Sequence, residues 1–211
     1  MIKIGILNLQ GAVSEHLEMT QKTIEKMNMG DEIIAESEII AESVRYADDV
    51  AKCDGIIISG GESTVIGKLI KERGIDKVIK DNQIPVFGTC AGMVLLSKKT
   101  DYDQDILEIM DIEVKRNAYG RQTDSFENEI NILGDIFPGV FIRAPAVSKI
   151  LNGAEGIDKI NDGVEILSEL DSNIIAVKQG NNIAMSFHPE LTSDIRLHEY
   201  FINELIKLDS V

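Results

Sequence analysis

Three short apolar runs, each followed by helical spacing, constrain this chain more than any other feature. Ile2 to Asn8 is rich in β-branched residues and is broken by Gln10-Gly11-Ala12. Gly55-Ile56-Ile57-Ile58-Ser59 ends at Gly60-Gly61, and Pro85-Val86-Phe87-Gly88-Thr89 ends at Cys90. None alternates apolar with polar residues, so each reads as a strand buried on both faces. After the first, Ser14 can cap a helix carrying Leu17, Thr20, Ile24 and Met27 at helical spacing. Helices are predicted from Ser63 to Arg73 and from Ala91 to Lys98 after the other two. Buried strands alternating with helices call for a mostly parallel sheet with helices on both sides, an α/β fold.

The rest of the chain elaborates that frame. Ile33 to Ile40 reads as one strand with an acidic flank or as two short pieces, and Val44 to Lys52 as a short helix. In the second half, Ile112 to Lys115, Phe126 to Ile132, Val140 to Ala144, Val164 to Leu170, Ile174 to Gln179 and Ile183 to Phe187 read as strands with short turns. Several are expected as antiparallel hairpins added to the sheet. A last helix covers Ser193 to Leu208, with Ile195, Tyr200, Phe201 and Leu205 facing inward. No repeat or Pro/Gly linker interrupts the 211 residues, which are expected to form one domain, residues 1–211.

Charge and cysteine content exclude several functions. A net charge of −15 with no basic cluster repels a phosphate backbone, so nucleic acid and anionic membrane are poor partners. A partner with a basic docking face remains allowed. No apolar run approaches the ~20 residues of a membrane span, and the opening run is too short for a signal-peptide core, so a cytoplasmic location is expected. In a reducing compartment Cys53 and Cys90 are expected unpaired.

The chemistry centres on Gly88-Thr89-Cys90-Ala91-Gly92, between a predicted strand and a predicted helix. Small residues on both sides let the chain turn sharply and expose a nucleophile at the strand end. The helix N-terminus behind it favours a thiolate. A thiolate needs a base and a group to orient that base. His188-Pro189-Glu190 directly follows the strand Ile183 to Phe187, so His188 and Glu190 can project into the same crevice. His16 and His198 lie on predicted helices among polar residues and are expected at the surface, whereas Cys53 is expected to be packing. Acyl chemistry also needs oxyanion donors. The amides of Gly61, in the Gly60-Gly61-Glu62-Ser63 turn, and of Ala91 are the natural pair. Gln10, just past the first strand, is a further contributor. No metal-ligand cluster is visible.

These motifs resemble the class I (triad) glutamine amidotransferases, in Phe87-Gly88-Thr89-Cys90-Ala91-Gly92 and His188-Pro189-Glu190. More narrowly, the chain is similar to the glutaminase subunits of pyridoxal 5′-phosphate synthase. The segments that carry this are Leu9-Gln10-Gly11-Ala12-Val13, Gly60-Gly61-Glu62-Ser63-Thr64, Arg116-Asn117-Ala118-Tyr119-Gly120-Arg121-Gln122 and Asp124-Ser125-Phe126-Glu127, with Val140-Phe141-Ile142-Arg143-Ala144-Pro145 and Phe187 to Thr192. The resemblance runs from Ile4 to Phe201. It implies a three-layer, flavodoxin-like fold, Cys90 as nucleophile, and His188 with Glu190 as its relay. It implies L-glutamine contacts from Gly61, Glu62, Ser63, Arg116, Ile142 and Arg143, the two arginines acting directly or by shaping the pocket. It implies no cofactor on this chain. The partner it implies is the synthase subunit, which receives the ammonia.

Three features depart from the family pattern. Ser59 stands where Pro is expected, and the stretches 28–43 and 146–163 look expanded. The rival readings are a glutaminase of another pathway, a cysteine peptidase or γ-glutamyl hydrolase on the same fold, and a regulatory module that has lost catalysis.

Overall fold

The structure is a computed structural model that describes residues 1–29, 38–119, 125–151 and 163–210. In chain order, β1 (Ile2–Leu7), α1 (Val13–Met29), β2 (Ile39–Val44), α2 (Ala47–Val50), β3 (Gly55–Ile58), α3 (Ser63–Glu72), α4 (Ile75–Asp81), β4 (Val86–Thr89) and α5 (Ala91–Leu96) make the first half. The second half runs β5 (Ser97–Thr100), β6 (Met110–Lys115), β7 (Ser125–Ile132), β8 (Asp135–Ile142), β9 (Ala146–Ile150), β10 (Glu165–Leu170), β11 (Asn173–Gln179) and β12 (Asn182–Met185). A 3-10 turn at Pro189–Leu191 and α6 (Arg196–Asp209) follow.

The main sheet has the order β2-β1-β3-β4-β12-β11-β9-β6-β5, with β10 also paired to β11. From β2 to β12 every pairing is parallel, and β11 and β9 then join antiparallel. The three expected buried strands are therefore neighbours at its centre. Side chains alternate across a strand, and β3 shows why all three of its isoleucines are apolar. Ile56 and Ile58 join the core under α3, α4 and α5, with Ile66, Ile79 and Leu95. Ile57 faces the other core with Ile24 of α1 and Phe201 of α6. Each fully buried isoleucine of this kind contributes about 1.5–3 kcal/mol relative to exposure.

Several boundaries differ from expectation. The helix after Cys90 stops at Leu96, because Ser97 turns to extended backbone (ψ 157°) and its hydroxyl donates to Val94 O at 2.7 Å. Residues 97–100 instead pair in parallel with β6. α4 was not expected; it starts after Gly74, whose left-handed φ of 66° separates it from α3. Val44 closes β2, which leaves α2 a single turn. The 146–163 stretch begins with β9, and its residues 152–162 lie outside the described ones, as do 30–37 of the Ile33 to Ile40 region.

The larger correction concerns His16 and His198. Both are fully buried. The inner face of α1 runs through His16, Met19, Thr20, Thr23 and Met27, so polar side chains share the stripe and mask its direction. On α6 the buried positions include Leu197, His198, Phe201 and Leu205, while Ile195 and Tyr200 are only half-buried.

Candidate active site

In a parallel sheet the C-terminal strand ends share one edge. Gln10 follows β1, Gly60 follows β3, Cys90 follows β4 and His188 follows β12, and these strands are consecutive in the sheet. Topology therefore gathers four residues separated by as many as 178 positions in the chain (188 − 10 = 178).

Cys90 sits between β4 and α5 with φ 49° and ψ −102°. A non-glycine residue held there costs about 1–3 kcal/mol, and such strain survives only where the surroundings enforce it. They do. The Cys90 amide donates to Met185 O on β12 at 2.8 Å. A Cβ on Gly92 would stand 2.4 Å from Ile58 O, so only glycine lets α5 start this close to β3. Burial pushes the Cys53 thiol up to about 11, in keeping with a packing role.

His188 is fixed by its amide, which donates to Val140 O of β8 at 2.8 Å. Its Nδ1 lies 2.7 Å from Glu190 Oε1, and the Glu190 side chain has no exposed surface. This is the geometry of an imidazole whose tautomer is set by a carboxylate, leaving Nε2 for the nucleophile. Burial pulls the His188 pKa down, but hydrogen bonding and charge from Cys90 and Glu190 outweigh it and raise the imidazole to about 10. The Glu190 contact is explicit at 2.7 Å, whereas the Cys90 thiol is turned toward Ile142 O at 3.7 Å and His188 Nε2 has no hydrogen-bond partner among the described residues. The upward direction therefore rests on Glu190 first. Gly60 packs on the same ring: a Cβ there would lie 2.3 Å from His188 Cε1 and 3.3 Å from Cys90 Cβ.

A cleft of about 320 Å³ opens over Cys90. Gly61, Glu62, Ser63, Ala91, Arg116, Ile142, Arg143 and His188 all line it, so the structure brings together nearly every residue singled out in the sequence. Gln10 stands behind it instead: its Oε1 accepts the Glu62 amide at 2.7 Å, bracing the turn that carries Gly61. Ser59, in the place of the expected proline, is buried, with its hydroxyl 3.5 Å from Gln10 O. Arg143 reaches the cleft from a left-handed φ of 44° at the end of the β7–β8 hairpin. Gly120, Arg121, Gln122 and Asp124 lie outside the described residues.

Sequence reasoning missed the loop that holds Arg116. Tyr102 lies under the guanidinium, 4.2 Å from ring centroid to Cζ, and Asp101 accepts the Arg116 amide at 3.1 Å. Gln104 Oε1 takes both the Ser63 hydroxyl, at 3.0 Å, and Arg116 Nη1, at 3.4 Å. This loop has no motif or periodicity, and only the fold places it against α3. Val94, Asn117 and Pro145 also line the cleft.

A mostly parallel α/β sheet with a strand–turn–helix cysteine, a neighbouring His–Glu pair and a small amino-acid-sized cleft defines the amidotransferase class of hydrolytic domains. The profile described as the SNO glutamine amidotransferase family matches residues 6–207, and the chain belongs to that family. It is 65% identical, over 98% of both chains, to a protein of Methanobrevibacter smithii named pyridoxal 5′-phosphate synthase subunit PdxT. It is 56% identical, again over 98% of both, to the protein of that name from Methanothermobacter thermautotrophicus. A crystal structure of a glutamine amidotransferase superposes with a TM-score of 0.78 at 36% identity, covering 96% of this chain and 98% of the other. At 13% identity, a GMP synthase subunit of Thermoplasma acidophilum shares the fold alone, with a TM-score of 0.64.

Proposed function

We propose that this chain is the glutaminase subunit of a pyridoxal 5′-phosphate synthase, acting as one domain over residues 1–211. The observation that carries the reading is the strained Cys90 beside the buried His188–Glu190 pair, at the floor of a cleft lined by Gly61, Arg116 and Arg143. The names of relatives 65% and 56% identical support the pathway.

In this mechanism the Cys90 thiolate adds to the side-chain amide carbon of L-glutamine. The oxyanion is met by the amides of Gly61 and Ala91, with Gln10 holding the Gly61 turn in place. The His188 imidazolium gives its proton to the leaving nitrogen, the C–N bond breaks, and ammonia departs from a Cys90 thioester. Water then attacks the thioester while the neutral imidazole takes its proton, and glutamate and the thiolate are released. Glu190 holds the ring in the productive tautomer and stabilises its charged form. Arg116 and Arg143 suit the α-carboxylate and Glu62 the α-ammonium, with Ser63 and Ile142 completing the pocket. The cleft lies at the small end of the ~300–1,000 Å³ usual for ligand sites, which favours one amino acid over a polypeptide.

The ammonia passes to a separate synthase subunit, and pyridoxal 5′-phosphate is the assembly's product, not a group this chain must bind. A cytoplasmic setting fits two free cysteines. Among the described residues no helix is long and apolar enough to cross a membrane. The test is ammonia release from glutamine, with the synthase subunit present, by wild type and Cys90→Ala. Wild type should turn over and Cys90→Ala should fall to background while still binding its partner. A glutamine-like diazo-ketone should label Cys90 and spare Cys53; turnover by Cys90→Ala, or label on Cys53, overturns the assignment.

A further inference from the structure

The two histidines expected at the surface meet behind the site. His16, from α1, and His198, from α6, approach within 3.0 Å, His16 Nδ1 to His198 Nε2. The other nitrogen of His16, Nε2, lies 2.9 Å from Thr89 Oγ1, on the residue preceding Cys90. It also lies 3.3 Å from Glu190 Oε2, the oxygen that His188 does not use. That second approach is too bent to count as a full hydrogen bond, and Glu190 Oε2 has no other among the described residues.

Burial, reinforced for His16 by the neighbouring rings of His198 and His188, holds both imidazoles neutral; His16 lies well below the ordinary range and His198 falls to about 3. Each ring therefore carries one N–H, and two arrangements are open. In the first, His198 Nε2–H donates to His16 Nδ1, and His16 Nε2–H points at Thr89 Oγ1 and Glu190 Oε2. The atom left over is His198 Nδ1, which has no partner among the described residues and is then a bare acceptor. In the second, every proton is reversed. His198 Nδ1 becomes an orphaned buried N–H, and a His16 lone pair faces a carboxylate oxygen at 3.3 Å. A buried donor without an acceptor is the costlier defect, and the facing lone pairs repel in a low-dielectric interior. The first arrangement wins. Among the described residues no cluster of His, Cys, Asp and Glu can hold a metal, so the pair is not a metal site.

We infer that His16 is a positioning residue for the glutaminase reaction: its Nε2–H, oriented by His198, supports the free oxygen of Glu190 and braces Thr89 beneath the nucleophile. This rests on the proposed function. The relay thus runs from α6 through α1 to Glu190, His188 and Cys90. His16 touches neither substrate nor reacting atoms, and its effect should fall on kcat.

Two variants separate positioning from packing. Gln at position 16 places its amide nitrogen where Nε2 stood, within reach of Glu190 and Thr89. Asn reaches only as far as Nδ1, toward His198. With the synthase subunit present, His16→Gln should keep kcat within about threefold of wild type. His16→Asn should lose about tenfold, the low end for one hydrogen bond to a charged group because this one is bent. KM for glutamine should hold in both. Equal kcat in the two variants, or a change confined to KM, overturns the inference. Independently of turnover, long-range ¹H–¹⁵N spectra of the wild-type chain should show both His16 and His198 as Nε2–H tautomers. An Nδ1–H tautomer at either ring overturns it even if His16→Asn fails to fold. Wild type that releases no ammonia would count against the proposed function and leave the tautomer result standing.

Discussion

The buried His16–His198 pair should make the protein sensitive to mild acid, between pH 7.5 and pH 5. Both rings have folded-state pKa values lowered by burial. Their contribution to stability is present above the unfolded value near 6.5 and is lost as pH falls below it, because only the unfolded chain takes up the protons. At pH 5 each ring that stays neutral in the fold costs about 2 kcal/mol, or about 4 kcal/mol for the two. His188 opposes this: its folded value is raised to about 10, so its contribution is fully present below 6.5 and is lost as pH rises toward 10. Between pH 7.5 and pH 5 it returns about 1 kcal/mol, for a net loss of about 3 kcal/mol. The carboxylates with lowered values, Asp76, Asp111, Asp194 and Glu204, titrate below this window and add little. Urea unfolding of the full chain at the two pH values reads the difference. His198→Gln keeps a donor toward His16 Nδ1 but does not titrate, so its loss should shrink by about 2 kcal/mol. A wild-type change under about 1 kcal/mol, or an equal loss in His198→Gln, would refute the reasoning.

Three further perturbations probe the site. Gly60→Ala places a Cβ 2.3 Å from His188 Cε1, so the ring must swing away, and kcat should fall about 10²-fold or more; a rate within threefold of wild type would show that the imidazole tolerates the shift. His188→Asn should lose nearly all turnover and Glu190→Gln less, since Glu190 orients the ring and transfers no proton; appreciable ammonia release by His188→Asn removes it from the relay. Gln10→Ala frees the Glu62 amide it now accepts at 2.7 Å, and the partner-stimulated rate should drop far more than glutamine binding weakens. An unchanged stimulated rate would restrict Gln10 to a passive turn contact.

Much of the machinery was legible in the chain because its signals are local. The strands at Ile2, Gly55 and Pro85 carry unbroken apolar runs, and an unbroken run has one meaning in an α/β fold, burial on both faces. Gly88-Thr89-Cys90-Ala91-Gly92 is readable because a sharp strand–helix turn needs small residues at fixed offsets from the nucleophile, and Gly92 proves the point with Ile58 O in its path. His188-Pro189-Glu190 is readable because two residues suffice to pair an imidazole with a carboxylate. Other features were decided only by tertiary structure. β5 exists because β6 lies beside it, not because of its own composition. Asp101, Tyr102 and Gln104 hold Arg116 through contacts that no period or motif encodes. His16 and His198 lie 182 residues apart on helices whose inner stripes mix polar with apolar side chains. Each looks like a surface residue alone, and each is buried at little cost only because the other, with Thr89 and Glu190, supplies the polar partners that water would have given.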